Sequence, residues 1–293
     1  MKKSLLALAA LTAFAGAASA QSSVTLFGVV DVSVRGVDND TGARTTLNQD
    51  GNASSRLGLR GVEDLGGGLK AGFWLEGAIN PDNGTPGGQT WQRRSTVSLM
   101  GGWGEVRLGR DYVPTFWNHT VFDPFGTNGV GQQTNLLTLQ GEAGGTVLLR
   151  PTLVRTNNTI GYFLPAMGGL YGQLMLGLDE GDTGASTGAN SNYAYWGGRI
   201  GYAAGPFNVA FAYGETKGYE STGPLDLSTD MSAWNIAGSW NFGFMTLMGQ
   251  YHEYDEERVK LSNYMIGATA QLGSGQLKAS YGMTEVDSSA ARI

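Results

Sequence analysis

The sequence predicts an all-β chain that crosses a membrane as an antiparallel barrel, and three observations carry that prediction. Apolar and polar residues alternate with a period of two through most of the 293 residues, a strand pattern with little helical periodicity beside it. Most alternating segments match the ~9–11 residues that a tilted strand needs to cross a bilayer. The links between them are short and long in turn, as at the two rims of a bacterial barrel. A soluble sandwich would also alternate, but it has no reason to keep that rhythm.

Residues 1–20 precede the strands. Lys2 and Lys3, an apolar run at 5–14 and the small-x-small site Ala18-Ser19-Ala20 read as a cleaved secretory signal peptide. The mature chain is then 21–293, and no later window approaches the ~18 apolar residues of a spanning helix. Without Lys2 and Lys3, 17 basic side chains stand against 25 acidic ones, a net charge of −8. That balance argues against nucleic acid as a partner. With no cysteine there is no disulfide framework, thiolate nucleophile or lipid-anchor thiol.

Thirteen strands are expected, near 24–36, 53–64, 69–79, 92–101, 104–110, 153–164, 169–180, 192–203, 206–217, 230–241, 244–256, 261–272 and 276–286. In the first, Val24, Leu26, Val30, Val32 and Val34 share a face, opposite Thr25, Asp31, Ser33 and Arg35. Leu69, Ala71, Phe73 and Leu75 alternate with Lys70, Trp74 and Glu76 in the third. Leu170, Leu174, Leu176 and Leu178, then Trp234, Ile236 and Trp240, then Tyr264, Ile266 and Ala268 form later stripes. Long links are expected at 37–52, 80–91, 111–152, 181–191 and 218–229, with a brief one near 256–260 on the same rim.

The polar phase identifies the inner face. A base near mid-membrane on the lipid side costs about 2–4 kcal/mol, and Arg35, Arg56, Lys70, Arg107, Arg155, Arg199 and Lys278 all share the polar phase. The lumen is therefore wet, which implies a channel. Val30, Leu57, Phe73, Leu99, Leu108, Leu176, Ile236 and Ile266 should face lipid, and Arg56, Glu76, Arg107 and Arg155 the lumen. Tyr202, Phe207, Phe242 and Phe244 gather at the short-turn rim as an interfacial girdle. The 111–152 link is too long for an ordinary connection and too apolar for disorder. Folded inward, it would bury Phe116, Trp117, Val121, Phe122, Phe125, Leu136, Leu137 and Leu139 against the wall.

Several motifs resemble those of the general bacterial porins. SRLGLRGVEDLGGGL at 55–69 resembles their second strand, and VTLFG at 24–28 their first. VRLGR at 106–110 precedes the long link, DPFG at 123–126 lies within it, and RTNNTIGY at 155–162 follows it. The resemblance spans the mature chain. It implies a 16-stranded barrel in the Gram-negative outer membrane, assembled as a homotrimer, passing small hydrophilic solutes and ions. It also implies that the long loop narrows the pore, with wall arginines facing acidic groups on the loop. Carried over by motif, Arg56 is a wall arginine and Asp123 a loop acid. Arg94 lies near a wall position on the fourth strand, although a slip of one residue would exchange it with Arg93. Arg107 and Arg155 join by parity, Glu76 joins on the same polar phase, and Glu142 is a second loop carboxylate. An anion preference is the electrostatic expectation.

Two rival classes are an outer-membrane adhesin or translocator, whose long loop would point outward, and an outer-membrane hydrolase. The second needs an acid/base constellation, and the chain offers none. Gly184-Ala185-Ser186-Thr187-Gly188 imitates a nucleophile elbow but lies in a polar link. His119 and His252 are far apart in sequence, and neither has metal-ligand companions at suitable spacing. No cofactor or metal is expected, and the chain reads as a channel and not as an enzyme. Thirteen strands is an odd number and Ala291-Arg292-Ile293 is not an aromatic ending, so the sequence reads as lacking about three C-terminal strands. A seam between its first and last strands is then expected.

Overall fold

A computed structural model of the chain describes residues 23–39, 42–84, 90–137, 152–179, 193–219, 229–256 and 259–287. The expected export segment at 1–20, Glu142, Leu139 and the Gly184–Gly188 run lie outside them. Among the described residues there are fifteen strands: β1 Ser23–Val29, β2 Ser33–Asn39, β3 Gly42–Asn48, β4 Arg56–Gly66, β5 Leu69–Ala78, β6 Arg94–Gly101, β7 Gly104–Tyr112, β8 Arg155–Phe163, β9 Leu170–Gly177, β10 Ala194–Ala204, β11 Phe207–Tyr219, β12 Thr229–Asn241, β13 Met245–Glu256, β14 Val259–Leu272 and β15 Gly275–Asp287. β1 and β4–β15 form one 13-stranded sheet in which each strand pairs antiparallel with the next. No helix among the described residues is long and apolar enough to cross a membrane.

The alternation settles the faces as expected. Val30, Leu57, Leu99, Leu108, Leu176, Ile236 and Ile266 are exposed, as a face meant for lipid would be. Phe73 is half-buried because its ring lies over Gly61, where an added Cβ would come within 2.6 Å of the ring. Trp103, Tyr202, Phe207, Trp240, Phe242 and Phe244 remain exposed near the short turns. Those turns are tight: Gly66, Gly67 and Gly68 have φ of 82°, 62° and 83°, a region that side chains other than glycine rarely enter.

The first strand differs from its expected span. Instead of running unbroken over 24–36 into a loop, it ends at Val29, and β2 and β3 pair as a separate hairpin. Asp31 sits at the break, and its carboxylate accepts the amides of Gly51, Asn52 and Ala53 at 2.9, 2.9 and 3.0 Å. The Asn52 amide, aided by Ala53 and Gly51, outweighs slight desolvation and lowers the Asp31 pKa below 3.8. Stability from this carboxylate is therefore full above that value and lost as pH falls through the lowered one. Asp31→Ala should speed hydrogen exchange at the 51–53 amides by an order of magnitude or more. Unchanged protection would mean that the turn holds itself.

Helix α1 (Pro114–Phe122) and the 3₁₀ turn Gln133–Leu136 lie inside the sheet. Pro114 at the first helical turn suits a position whose N–H has no partner in any case. α1 rests on β9–β13, and two of the three buried apolar clusters among the described residues lie at this contact, the third joining Leu137 and Leu153 to Tyr254 and Leu261. Phe122 packs on Ala210 and Ala237, while Val113 and Phe116 pack on Met175 and Tyr195. Phe116, Phe122 and Leu137 are buried as expected, whereas Val121 is 38% exposed. Two wall glycines make room for the loop: an added Cβ at Gly267 would collide with the Pro124 ring, and one at Gly282 with the Leu136 side chain.

β1 and β15 are the outer strands of the sheet, and among the described residues no ladder joins them. The loop touches both sides. Ser54 N and Oγ donate to Asn128 Oδ1 at 2.8 Å. Ser280 Oγ donates to the Gly131 carbonyl at 2.9 Å and Thr284 Oγ1 to the Leu136 carbonyl at 2.8 Å. Lys278 Nζ donates directly to Asn52 Oδ1 at 3.1 Å.

Candidate functional site

Buried amides hold the loop against the wall. Asn118 Nδ2 donates to Asn235 Oδ1 at 2.7 Å, and Asn235 Nδ2 donates to the Thr115 carbonyl at 3.0 Å. Arg199 Nε donates to Asn118 Oδ1, and Gln133 Nε2 to Asn263 Oδ1. Polar pairs sealed from water in this way carry both strength and geometric choice. His119 Nδ1 lies 3.2 Å from Gln133 Oε1, and its ring meets that of His252 with centroids 4.3 Å apart. The chain's two histidines, 133 residues apart in sequence, therefore meet at the loop–wall contact.

Between this loop and the wall of β4–β8 is a cavity of about 620 Å³. Five arginines line it: Arg56, Arg60, Arg93, Arg94 and Arg155, with Glu76 as the one carboxylate among the described lining residues. The loop side presents Phe116, Trp117, Thr120, Thr127, Asn128, Gln132 and Thr134, none of them ionisable.

Of the residues expected here, the structure brings Arg56, Arg94, Arg155 and Glu76 together. Glu76 Oε1 lies 2.6 Å from Arg93 Nε and 3.8 Å from Arg56 Nε. Arg93 and Arg94 were alternatives in the sequence, yet both line the cavity. Arg94 begins β6 with Thr96 and Ser98 in phase, while Arg93 lies in the bend before it, where strand parity does not apply. Arg155 Nη2 donates to Tyr112 Oη at 3.0 Å, and its guanidinium lies 4.5 Å from that ring. Arg107 faces inward but lies lower, gripped by Glu105 at 2.8 Å and Asp111 at 2.6 Å.

Asp123 corrects an expectation, because it does not face the arginines. It is 4% exposed, with Oδ1 accepting the Phe125 amide at 2.9 Å and Oδ2 those of Thr127 and Gln133 at 3.1 and 3.0 Å. Its motif shapes the loop's own turn. Burial raises its pKa, against these amides. Several participants were not anticipated. Arg60 lies between Phe27 and Trp74, 5.3 and 5.1 Å from the ring centres, and its shared parity with Arg56 was the signal available. Asp111, fully buried against Arg107 and near Arg94, shares its parity with Arg107, but it lies one residue past the strand end expected from sequence, and β7 runs on to Tyr112.

Comparisons with known proteins agree with this architecture. A profile of the Gram-negative porin family matches residues 7–292. The chain is 41% identical over its whole length to outer membrane porin protein 32 of Delftia acidovorans, covering 84% of that relative. It is 30% identical to an outer membrane porin protein of Bordetella pertussis, over 86% of this chain and 69% of the relative. The solved structure of an anion-selective porin from Comamonas acidovorans superposes with a TM-score of 0.77 at 38% identity, over 90% of this chain and 79% of that one. The all-β sheet with its inward loop, the arginine-lined cavity and the match across nearly the whole chain lead to one conclusion: the chain belongs to the Gram-negative porin family, a family of outer-membrane channels.

Proposed function

We propose that this porin passes small hydrophilic solutes and ions by passive diffusion, with a preference for anions, as a homotrimer exported on the cleaved signal peptide at 1–20. One observation carries the anion preference: five guanidinium groups and one carboxylate face an uncharged loop surface across the cavity. Basic linings favour anions. Arg56, Arg94, Arg155 and Glu76 form the constriction in this reading, with Arg60 and Arg93 added to them and Arg107 beneath. Asp123 serves the loop's shape, and Glu142 stays an assignment from sequence. The similarity to the anion-selective porin from Comamonas acidovorans supports the same reading. Net charge is no obstacle, since acids such as Asp38, Asp50 and Asp255 fall on links and strand ends and none of them lines the cavity.

Reversal potentials in a salt gradient across a planar bilayer test it. Chloride should be modestly preferred over potassium, and the preference should fade in high salt. Screening shortens the reach of the field from about 10 Å at 0.1 M to about 3 Å at 1 M. A preference for potassium would overturn the proposal.

A further inference from the structure

A second cavity, of about 310 Å³, lies toward the short-turn rim below the main one, with Trp117 and Arg94 on the border between them. Its size is at the lower end for small-molecule sites. The two guanidinium groups nearest its floor differ in their commitments. Arg107 is neutralised by Glu105 and Asp111. Arg199 has no carboxylate within 4.0 Å among the described residues; its partners are Asn118 and the Tyr171 ring, 4.7 Å away. Tyr171 can lie flat beside it because Gly201 on the next strand leaves the space, where a Cβ would collide with the ring.

Gln173 is the direct cross-strand neighbour of Arg199, so the two side chains stand side by side on the inner face. Gln173 is 4% exposed, and its Nε2 has no hydrogen-bond partner among the described residues. The Trp117 Nε1–H is likewise without an acceptor among them. A buried donor left unpaired is costly, so unpaired donors beside an uncompensated guanidinium call for an acceptor with negative charge. The remaining walls are the apolar surfaces of Trp117, Phe163 and Leu164.

We propose that this cavity is a binding station for a carboxylate carrying a flat apolar body, its oxygens taken by Arg199 and Gln173 and its body lying against Trp117 and Phe163. The inference rests on the anion preference proposed above and adds a solute class to it. A solute of this kind would pause here after the constriction, whereas chloride would not.

The test is block of chloride current through the reconstituted porin, with benzoate as probe and acetate at equal concentration as comparison. Benzoate should reduce the current saturably and acetate much less. Gln173→Leu and Arg199→Lys should each raise the half-blocking benzoate concentration about tenfold, the loss of one hydrogen bond to a charged group. Gln173→Leu keeps the test decisive if Arg199→Lys disturbs folding through Asn118, because the Gln173 amide nitrogen holds no other group among the described residues. Potassium preference, measured first without benzoate, would overturn both readings. An anion-preferring parent with no saturable benzoate effect, or variants that block like the parent, would overturn this station alone.

Discussion

Replacing Arg56 and Arg155 together by glutamate is expected to erase the anion preference. The cavity carries five positive groups and one negative, and two charge reversals bring it to balance. Arg155 should matter more than its single charge suggests, because a tyrosine hydroxyl and ring face it instead of a carboxylate. Arg56 is partly answered already, with Glu76 at 3.8 Å. Arg155→Glu alone should therefore move the reversal potential further than Arg56→Glu alone, and the pair should bring it near zero. The shift should shrink in high salt, since it works through a screened field. A double variant that folds with the parent's strand content yet keeps the parent's reversal potential would sink the assignment of these residues to the constriction.

Acidification is expected to loosen the loop itself. His119 is fully buried, and desolvation pushes its pKa down to about 4 from 6.5, with Gln133 and Gln250 opposing. The sign follows directly: the folded pKa is depressed, so the unfolded chain binds the proton first and stability falls as pH drops from about 6.5 to about 4. The cost of a shift of that size is about 3 kcal/mol, and it levels off below the lower value. The neighbours offer no relief. His252 and Tyr254 of β13 lie beside it, Arg199 reaches the adjacent Asn118 from β10, and the Asp123 carboxylate is engaged by its own loop amides. α1 should lift from the wall before the sheet unravels, since strand ladders do not depend on it. Single-channel records should become noisier between pH 6.5 and 4, and His119→Gln should remove much of that change. A variant as acid-sensitive as the parent would place the titration elsewhere.

The sequence determined everything that a period of two can express. Strand positions, the lipid-facing set and the inward direction of Arg56, Glu76, Arg107 and Arg155 all follow from alternation against a solvent that penalises charge on one face. Loop apolarity likewise favoured an inward fold over an outward one covering a neighbouring subunit, because Phe116 and Phe122 needed burial. What alternation does not encode came from packing between distant segments. The break at Asp31 arises from three amides some twenty residues away in sequence. Arg93 enters the cavity because it lies in a bend, where parity lapses. Asp123 turns away from the arginines because three amides of its own loop compete for its oxygens and are nearer. The meeting of His119 with His252 and of Arg199 with Gln173 depends on which strands a loop covers and which strands are neighbours. Such contacts are made by residues far apart in the chain, and no local pattern records them.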